Sequence, residues 1–240
     1  MTRPGAETGQ DVADAHERAA AAAARGILGS RGAEAPRHEV IDDLLPLVTD
    51  DPSPLVRCAA LGALVRLDAT AAAVRSAWTA AATDPDAAVR RRATDTAPEV
   101  ATGSVPGARV LLGLLDDEHV AEGAAWALGE LGATAVSAGA VARLASVAVG
   151  HDDALVRESA VAALGALGHP DGLEAILSAC RDKPAVRRRA VLALAPFDGD
   201  AVDVALAAAA EDRDWQVRQA AEDLGGGVDD GGGGSRPVPG

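Results

Sequence analysis

A pattern of about 32 residues recurs along the chain, and it limits the possible folds more than any other feature. The segment AVRRRA occurs at residues 88–93 and again at 185–190. Aligning the two copies also aligns LVRCAALGALVRL (55–67) with LVRESAVAALGAL (155–167). An internal period of this length indicates an array of stacked structural repeats. Six anchoring valines mark the units: Val56, Val89, Val120, Val156, Val186 and Val217.

Each unit has the pattern of two helices. Apolar residues follow the anchoring Val156 at helical spacing, as Ala160, Leu164 and Leu167 do, and these positions fall on one helix stripe. A second apolar-periodic segment precedes each such helix, for example VIDDLLPLV (40–48). A pair of this kind buries little alone, but stacked pairs form a continuous core. The predicted fold class is therefore all-α, an α-solenoid of about six helical hairpins.

Composition agrees with closely packed helices. Hydrophobic residues make up 48% of the chain but aromatic residues only 2%, so the core must consist of Ala, Val and Leu. Ala has the highest helix propensity, whereas a β-sandwich or barrel would use more aromatic and β-branched residues.

The chain divides into three predicted segments. Residues 1–35 combine a polar stretch with an Ala-rich helix at 11–28, residues 36–224 form the repeat array, and the Gly-rich residues 225–240 form a mobile tail. Inside the array, Pro98 removes a backbone donor from an expected helix. Thr96 and Glu99 have the spacing of a capping box, so the helix is predicted to break and restart there.

An Asp at each inter-helix turn and a Val-Arg pair at the start of the second helix complete the repeat. This combination resembles the HEAT-repeat family, in particular the short repeats of phycobilisome-lyase-like proteins. The unit at Asp116 departs from the pattern, because Ala121 stands where the Arg is expected. The matching pairs are Asp51 with Arg57, Asp84 with Arg90, Asp152 with Arg157, Asp182 with Arg187, and Asp212 with Arg218.

The resemblance implies a structural ladder made of these aspartates and arginines. An Asp just before a helix can accept its free N–H groups and suits the positive helix N-terminus. From the flank of the buried stripe, the Arg fork can reach a turn Asp or a carbonyl of the next unit. Arg57, Arg90, Arg157, Arg187 and Arg218 are therefore interpreted as parts of the fold.

The resemblance also implies that the second helices line a concave face. Two places after each anchoring Val, that face would present Cys58, Arg91, Glu122, Glu158, Arg188 and Gln219. Arg91 and Arg188 either recognise an acidic partner or are simply solvated charges. Trp126 replaces a small residue and is a partner anchor if exposed, or a spacer between units if buried. The predicted contact set is Arg91, Arg188, Trp126, Glu122 and Glu158, while Trp78 is predicted to lie in the core and Trp215 to seal the C-terminal end.

Net charge and the distribution of apolar residues limit the classes of partner that are expected. A formal net charge of −14 repels nucleic acid and anionic membranes at long range. The mixed signs of the second-helix positions also differ from a phosphate-binding groove, which would be basic and aromatic. No segment approaches 18 continuous apolar residues, so no membrane span is predicted. Two isolated cysteines fit a reducing cytoplasm.

Enzymatic alternatives were weighed against the same residues. The HEAT-like deoxyhypusine hydroxylases bind di-iron through repeated His-Glu pairs, and this chain has His16-Glu17 and His38-Glu39 at a spacing that breaks the repeat period. Bilin lyases share such repeats, but the chain has few aromatic residues to stack on a tetrapyrrole. No G-x-S-x-G, P-loop or G-x-G-x-x-G is present. No catalytic residue, metal ligand or cofactor is predicted.

The sequence thus favours a non-catalytic cytoplasmic scaffold or adaptor that binds another protein through its second helices. A lyase-like or metal-dependent enzyme or maturation factor is the alternative, and nucleic-acid binding is a third hypothesis.

Overall fold

In the computed structural model, residues 9–30 and 36–225 are described, and within these ranges the chain is helical without any β-strand. This confirms the predicted all-α fold class. The helices of the first part are α1 Gly9–Ser30, α2 Arg37–Asp50, α3 Pro54–Asp68, α4 Ala72–Ala81, α5 Ala87–Asp95, α6 Ala97–Ala101, α7 Val105–Leu114, α8 Ala121–Glu130 and α9 Ala133–Ala138. They are followed by α10 Ala140–Gly150, α11 Ala154–Leu167, α12 Leu173–Ala179, α13 Pro184–Ala193, α14 Asp200–Ala210 and α15 Trp215–Gly225.

The chain forms two compact units, the first ending at Ala138 and the second beginning at Gly139. The first contains the hairpins α2/α3, α4/α5 and α7/α8, and its second helices pack in sequence, α3 on α5 and α5 on α8. The second contains α10/α11, α12/α13 and α14/α15, with α11 packed on α13 and α13 on α15. Each unit is thus an α-solenoid stack of helical hairpins. The division falls inside the array predicted over 36–224.

The anchoring valines lie in the core of these stacks. All six are at most 3% exposed, which confirms the helical register read from the repeat. Trp78 is also buried, as predicted, and its indole Nε1 donates a hydrogen bond to the Ala93 carbonyl. Gly168 follows α11 with a φ of 58°, a left-handed conformation that favours glycine at a helix end.

Helix α1 packs against the second helix of the first hairpin. It packs along α3 and buries Ala15, Ala19 and Ala22. A Cβ on Gly26 would lie 2.6 Å from the Ala63 Cβ, so glycine permits the close approach of α1 to α3. The helix is longer than the predicted 11–28. The expected polar segment at 1–10 lies largely outside the described residues, as does the tail after Gly225.

The predicted break near Pro98 is present, but its cap differs. Helix α5 ends at Asp95 and α6 begins at Ala97. Thr96 does not cap α6 with its side chain, because its hydroxyl donates instead to the Arg92 carbonyl at 2.9 Å.

Candidate functional site

The inter-helix turns contain a repeated arrangement of ion pairs that orders each stack. Arg57 donates from Nε and Nη2 to the two carboxylate oxygens of Asp84, at 2.8 and 2.9 Å. Its Nη1 donates to the Asp51 and Pro52 carbonyls of its own turn. One guanidinium therefore binds the turn of its own repeat to the turn of the next repeat. The same bidentate geometry joins Arg157 to Asp182 and Arg187 to Asp212, and Arg90 donates to Asp117 through Nε.

The ladder aspartates also shape the turns in which they lie. Asp84 Oδ1 accepts the backbone N–H of Asp86 at 2.8 Å, and Asp212 Oδ1 accepts that of Asp214 at 2.8 Å. The expected capping role belongs to other residues, because Asp86 caps α5 and Asp153 caps α11. Ladder aspartates stand before the cap and are therefore free to face the preceding repeat.

These contacts differ from the predicted pairing in three ways. The carboxylate comes from the turn of the following repeat, which is one of the two predicted acceptors, whereas the carbonyls belong to the turn of the same repeat. Asp152 takes part through its carbonyl, which accepts from Arg157 Nη1 at 3.0 Å, and its carboxylate is not the ion-pair partner. Arg218 donates through Nη1 to the Asp212 carbonyl and forms no ion pair with an Asp among the described residues.

Two ladder residues were missed from the sequence. Arg18 of α1 donates to both carboxylate oxygens of Asp51, at 3.0 and 3.1 Å. Asp117 replaces its neighbour Asp116 as the partner of Arg90. A signal for Asp117 was available, since it follows Arg90 by 27 residues, as Asp84 follows Arg57.

The ion pairs lower the pKa of three ladder carboxyls. Hydrogen bonds from Arg90, Arg157 and Arg187 hold the pKa of their aspartate partners below the usual value, because they favour the charged carboxylate. Partial burial acts in the opposite direction but is outweighed. The affected groups are Asp117, Asp182 and Asp212.

A groove crosses the second helices of the first unit, and three of the predicted contact residues line it. We call it the α3–α5–α8 groove. Its α5/α8 part is a cleft of about 290 Å³ that Arg91, Glu122 and Trp126 line together with Asp95 and His119. Its α3/α5 part, of about 540 Å³, shares Arg91 and Asp95. The remaining residues of the α3/α5 part are Leu55, Cys58, Ala59, Ala87, Ala88 and Arg92.

Helical spacing explains why these side chains converge. Arg91 and Asp95 are four residues apart on α5, and Glu122 and Trp126 are four apart on α8, so each pair lies on one helix face. Trp126 is 43% exposed, which makes it an accessible side chain and not a spacer between repeats. Sequence reasoning missed Asp95, although it lies one helical turn after Arg91, as Trp126 does after Glu122.

The charged groups of the groove are largely unpaired with the rest of the described chain. Arg91 Nη2 donates to the His119 carbonyl at 3.1 Å. The side chains of Arg92, Asp95 and Glu122 make no hydrogen bond or ion pair with any described residue. The groove therefore offers charges of both signs beside an exposed indole.

The other two predicted contact residues lie in the second unit. Glu158 faces Arg189, whose Nε lies 3.5 Å from its Oε1. Arg188 is half-buried, not fully solvated as expected. Trp215 is 64% exposed at the start of α15, so it does not seal the end of the described chain.

The second unit has an apolar cleft of its own, of about 500 Å³, lined mainly by aliphatic side chains of α12 to α15. Cys180 contributes its thiol to this lining. Burial raises the pKa of Cys180 to about 11, so the thiol is protonated near neutral pH. Three charged residues, Arg181, Asp200 and Asp212, also line the cleft.

The histidines were examined as metal ligands. Across residues 9–30 and 36–225, no three His, Cys, Asp or Glu side chains are grouped to hold a metal ion. The Nδ1–H group of His16 donates to the Val12 carbonyl oxygen at 2.7 Å within its own helix. In the same ranges, none of the helices has the length and apolarity needed to cross a bilayer.

Comparison with known proteins supports a repeat architecture. The sequence profile described as HEAT repeats matches residues 141–224. A search of curated proteins found no significant match.

Solved structures with a similar fold are repeat or engineered proteins. An engineered protein from the Northeast Structural Genomics Consortium has a TM-score of 0.56 at 20% identity, covering 78% of this chain and 97% of that one. A designed armadillo repeat protein in complex with the peptide (KR)4 has a TM-score of 0.58 at 16% identity, covering 77% and 97%. Human deoxyhypusine hydroxylase in complex with glycerol covers 88% of this chain and 78% of its own at 21% identity, with a TM-score of 0.41 that is too low to carry an argument.

The stacked hairpins, the ladder at their turns and the matching sequence profile agree on one family. The phycobilisome-lyase-like subtype stays a prediction. Residues 141–224 match the HEAT-repeat family, and they form stacked helical hairpins with the ladder at their turns.

Proposed function

We propose that this chain is a non-catalytic, cytoplasmic adaptor that binds a segment of another protein in the α3–α5–α8 groove. The observation that carries the proposal is the exposed Trp126 in a cleft where Arg91, Asp95 and Glu122 form no ion pair with a described residue. Aromatic side chains in such surroundings supply much of the binding energy in protein interfaces.

The ladder supports this role by keeping the groove rigid. Arg57 joins the turn before α3 to the turn before α5, and Arg90 joins the turn before α5 to the turn before α8. A preordered surface loses less conformational entropy on binding than a mobile one. Repeat scaffolds of this general kind bind peptides and proteins, as the designed armadillo protein with its (KR)4 peptide does.

Glu158 and Arg188 are retained as contact candidates on the second unit's own second helices. Glu158 would have to exchange its contact with Arg189 for one with a partner, so we expect it to contribute less than Glu122.

The test is affinity capture from a native lysate of the source cells, followed by mass spectrometry. Wild-type protein is compared with a groove variant, Trp126→Ala with Glu122→Gln, and with Trp215→Ala as a matched control that removes an exposed indole elsewhere. We expect a partner that wild type and the control retain and the groove variant loses. A partner retained equally by all three proteins would place the binding surface outside the groove.

A further inference from the structure

We propose that the α3–α5–α8 groove recognises an extended protein segment with one carboxylate and one cationic side chain about three residues apart. The inference rests on the proposed function and names the chemistry of the partner. This pattern follows from the different charges of the two parts of the groove.

The α3/α5 part fits a carboxylate. Arg92 is half-buried there, yet its guanidinium makes no hydrogen bond or ion pair with a described residue. It lies over α3 at Gly62, where a Cβ would collide with Nη2, so the absence of a side chain at Gly62 makes room for it. A partly desolvated guanidinium is stabilised by a carboxylate, which it can bind through two parallel hydrogen bonds. Arg91 adds a second positive charge, so two guanidinium groups face the single carboxylate of this part, Asp95, which the α5/α8 part shares. Leu55 and Ala59 offer apolar contact beside them.

The α5/α8 part fits a cation. Asp95 and Glu122 both line it, and neither carboxylate has a hydrogen-bond or ion-pair partner among the described residues. The Arg91 guanidinium donates to the His119 carbonyl. Trp126 borders the same cleft with an exposed indole. A Lys or Arg side chain placed there would pair with the carboxylates and pack its alkyl stem or its charge on the indole.

The separation of the two parts sets the spacing in the partner. Packed helices lie about 8–10 Å apart, so successive clefts between α3, α5 and α8 are about 10 Å apart. A segment in the polyproline II conformation advances about 3.1 Å per residue with three residues per turn, so side chains three residues apart cover that distance and lie on one face. The expected pattern is acidic-x-x-basic, or basic-x-x-acidic for a segment that runs in the opposite direction.

The experiment is selection of a random 12-residue peptide library displayed on phage against the full chain. Clones that also bind the Trp126→Ala variant are removed by subtraction. Enriched sequences are synthesised, and their affinities are measured by fluorescence anisotropy for wild type, Arg92→Gln and Glu122→Gln. The Arg92 and Glu122 side chains make no polar contact with the described residues, so these variants should keep the wild-type melting temperature, which circular dichroism checks.

The proposal expects enriched peptides with the acid and base three residues apart, and about tenfold weaker binding to each variant, since one charge-assisted hydrogen bond contributes about 1.5 kcal/mol. It also expects Arg92→Glu to bind the peptide whose acidic residue is changed to Arg. Trp126-dependent peptides without that charge pattern would overturn this inference and leave the proposed function standing. If no peptide depended on Trp126, both would be overturned.

Discussion

At the residue scale, neighbouring arginines of one sequence motif have different contacts. In AVRRRA at 185–190, Arg187 is buried and bonded to two turns, Arg188 is half-buried without a bond to a described residue, and Arg189 faces Glu158. Position on the helix decides between these surroundings, because each residue rotates the side chain by about 100°. The repeat register is therefore sufficient to predict that the first arginine of the motif is more buried than the second.

The first prediction compares a ladder arginine with a non-ladder arginine. Arg157→Ala should lower the free energy of unfolding by about 2 kcal/mol, because it leaves the largely buried Asp182 without its guanidinium partner. Arg188→Ala removes no such bond and should change the free energy of unfolding by less than about 0.5 kcal/mol. Urea unfolding followed by circular dichroism measures both values. If the two variants unfold at the same urea concentration, the structural role assigned to the ladder is wrong.

The lowered pKa of the ladder carboxyls predicts acid sensitivity. A carboxyl whose pKa is depressed in the folded protein contributes stability above its unfolded pKa, and this stability is lost as the pH falls through the folded pKa. Wild type should therefore melt at progressively lower temperature as the pH falls below about 4. Asp182→Asn removes one of the responsible groups, so its melting temperature should be lower at pH 7 and should fall less steeply with acid. If the melting temperatures of the two proteins fell in parallel with decreasing pH, the stabilising role assigned to the Asp182 carboxylate would be wrong.

Cysteine reactivity gives a further test at this scale. Burial raises the pKa of Cys180 to about 11, and burial is also the main cause of the raised pKa of Cys58. Thiolates react and thiols do not, so both cysteines should react slowly with a disulfide reagent at pH 8 in the folded protein. Unfolding in guanidinium should make both react at once. Rapid modification of Cys180 in the native protein would show that its cleft in the second unit opens.

At the element scale, the sequence predicts the hairpins well because burial follows helical periodicity. The positions of Val56, Val156 and Val217 fix which face of each second helix enters the core, and apolar patterning carries that information directly. The ladder partners were harder to predict, since Asp152 and Asp182 are equally close to an Arg in sequence. Only the stacking of α11 on α13 shows that the carboxylate of the following repeat is the one within reach. Asp95 and Arg92 were not predicted as groove residues for the same reason. The groove lies between helices of neighbouring repeats, so its lining depends on how those repeats stack.

Helix stacking also predicts opposite effects for two similar glycine substitutions. A Cβ on Gly165 in α11 would lie 2.7 Å from the Ala193 Cα in α13, and backbone there cannot move without separating the helices. Gly165→Ala should therefore destabilise the protein by about 1–3 kcal/mol. Gly113 lies near the end of α7 with no heavy atom within 4 Å of the added Cβ. Gly113→Ala should stabilise the protein by up to about 1 kcal/mol through helix propensity.

Thermal unfolding of both variants beside wild type checks these signs. An increase in melting temperature for Gly165→Ala would mean that α11 and α13 can repack at little cost. A decrease for Gly113→Ala would mean that its backbone requires glycine for a reason other than space.

At the scale of the whole molecule, the sequence predicts one array over 36–224, whereas the chain forms two compact units that meet in sequence at Ala138 and Gly139. The irregular repeat carried a partial signal for this division. It has Ala121 in place of the ladder arginine and the longest interval to the next anchoring Val. Periodicity alone does not report where one compact unit ends, because the same apolar register continues in the repeats on either side.

Net charge leads to the last prediction, which separates a protein partner from a nucleic acid. The chain carries a formal net charge of −14, and its groove contains Asp95 and Glu122 as well as Arg91 and Arg92. Phosphate binding depends on cations that release counterions, so an acidic chain with a groove of mixed charge should not bind heparin. We expect the protein to pass through a heparin column at about 0.1 M salt, where charges interact over about 10 Å. The same protein should bind an anion exchanger, which controls for loss of folded material. Retention on heparin that added salt reverses would contradict the prediction and favour nucleic-acid binding over the adaptor role.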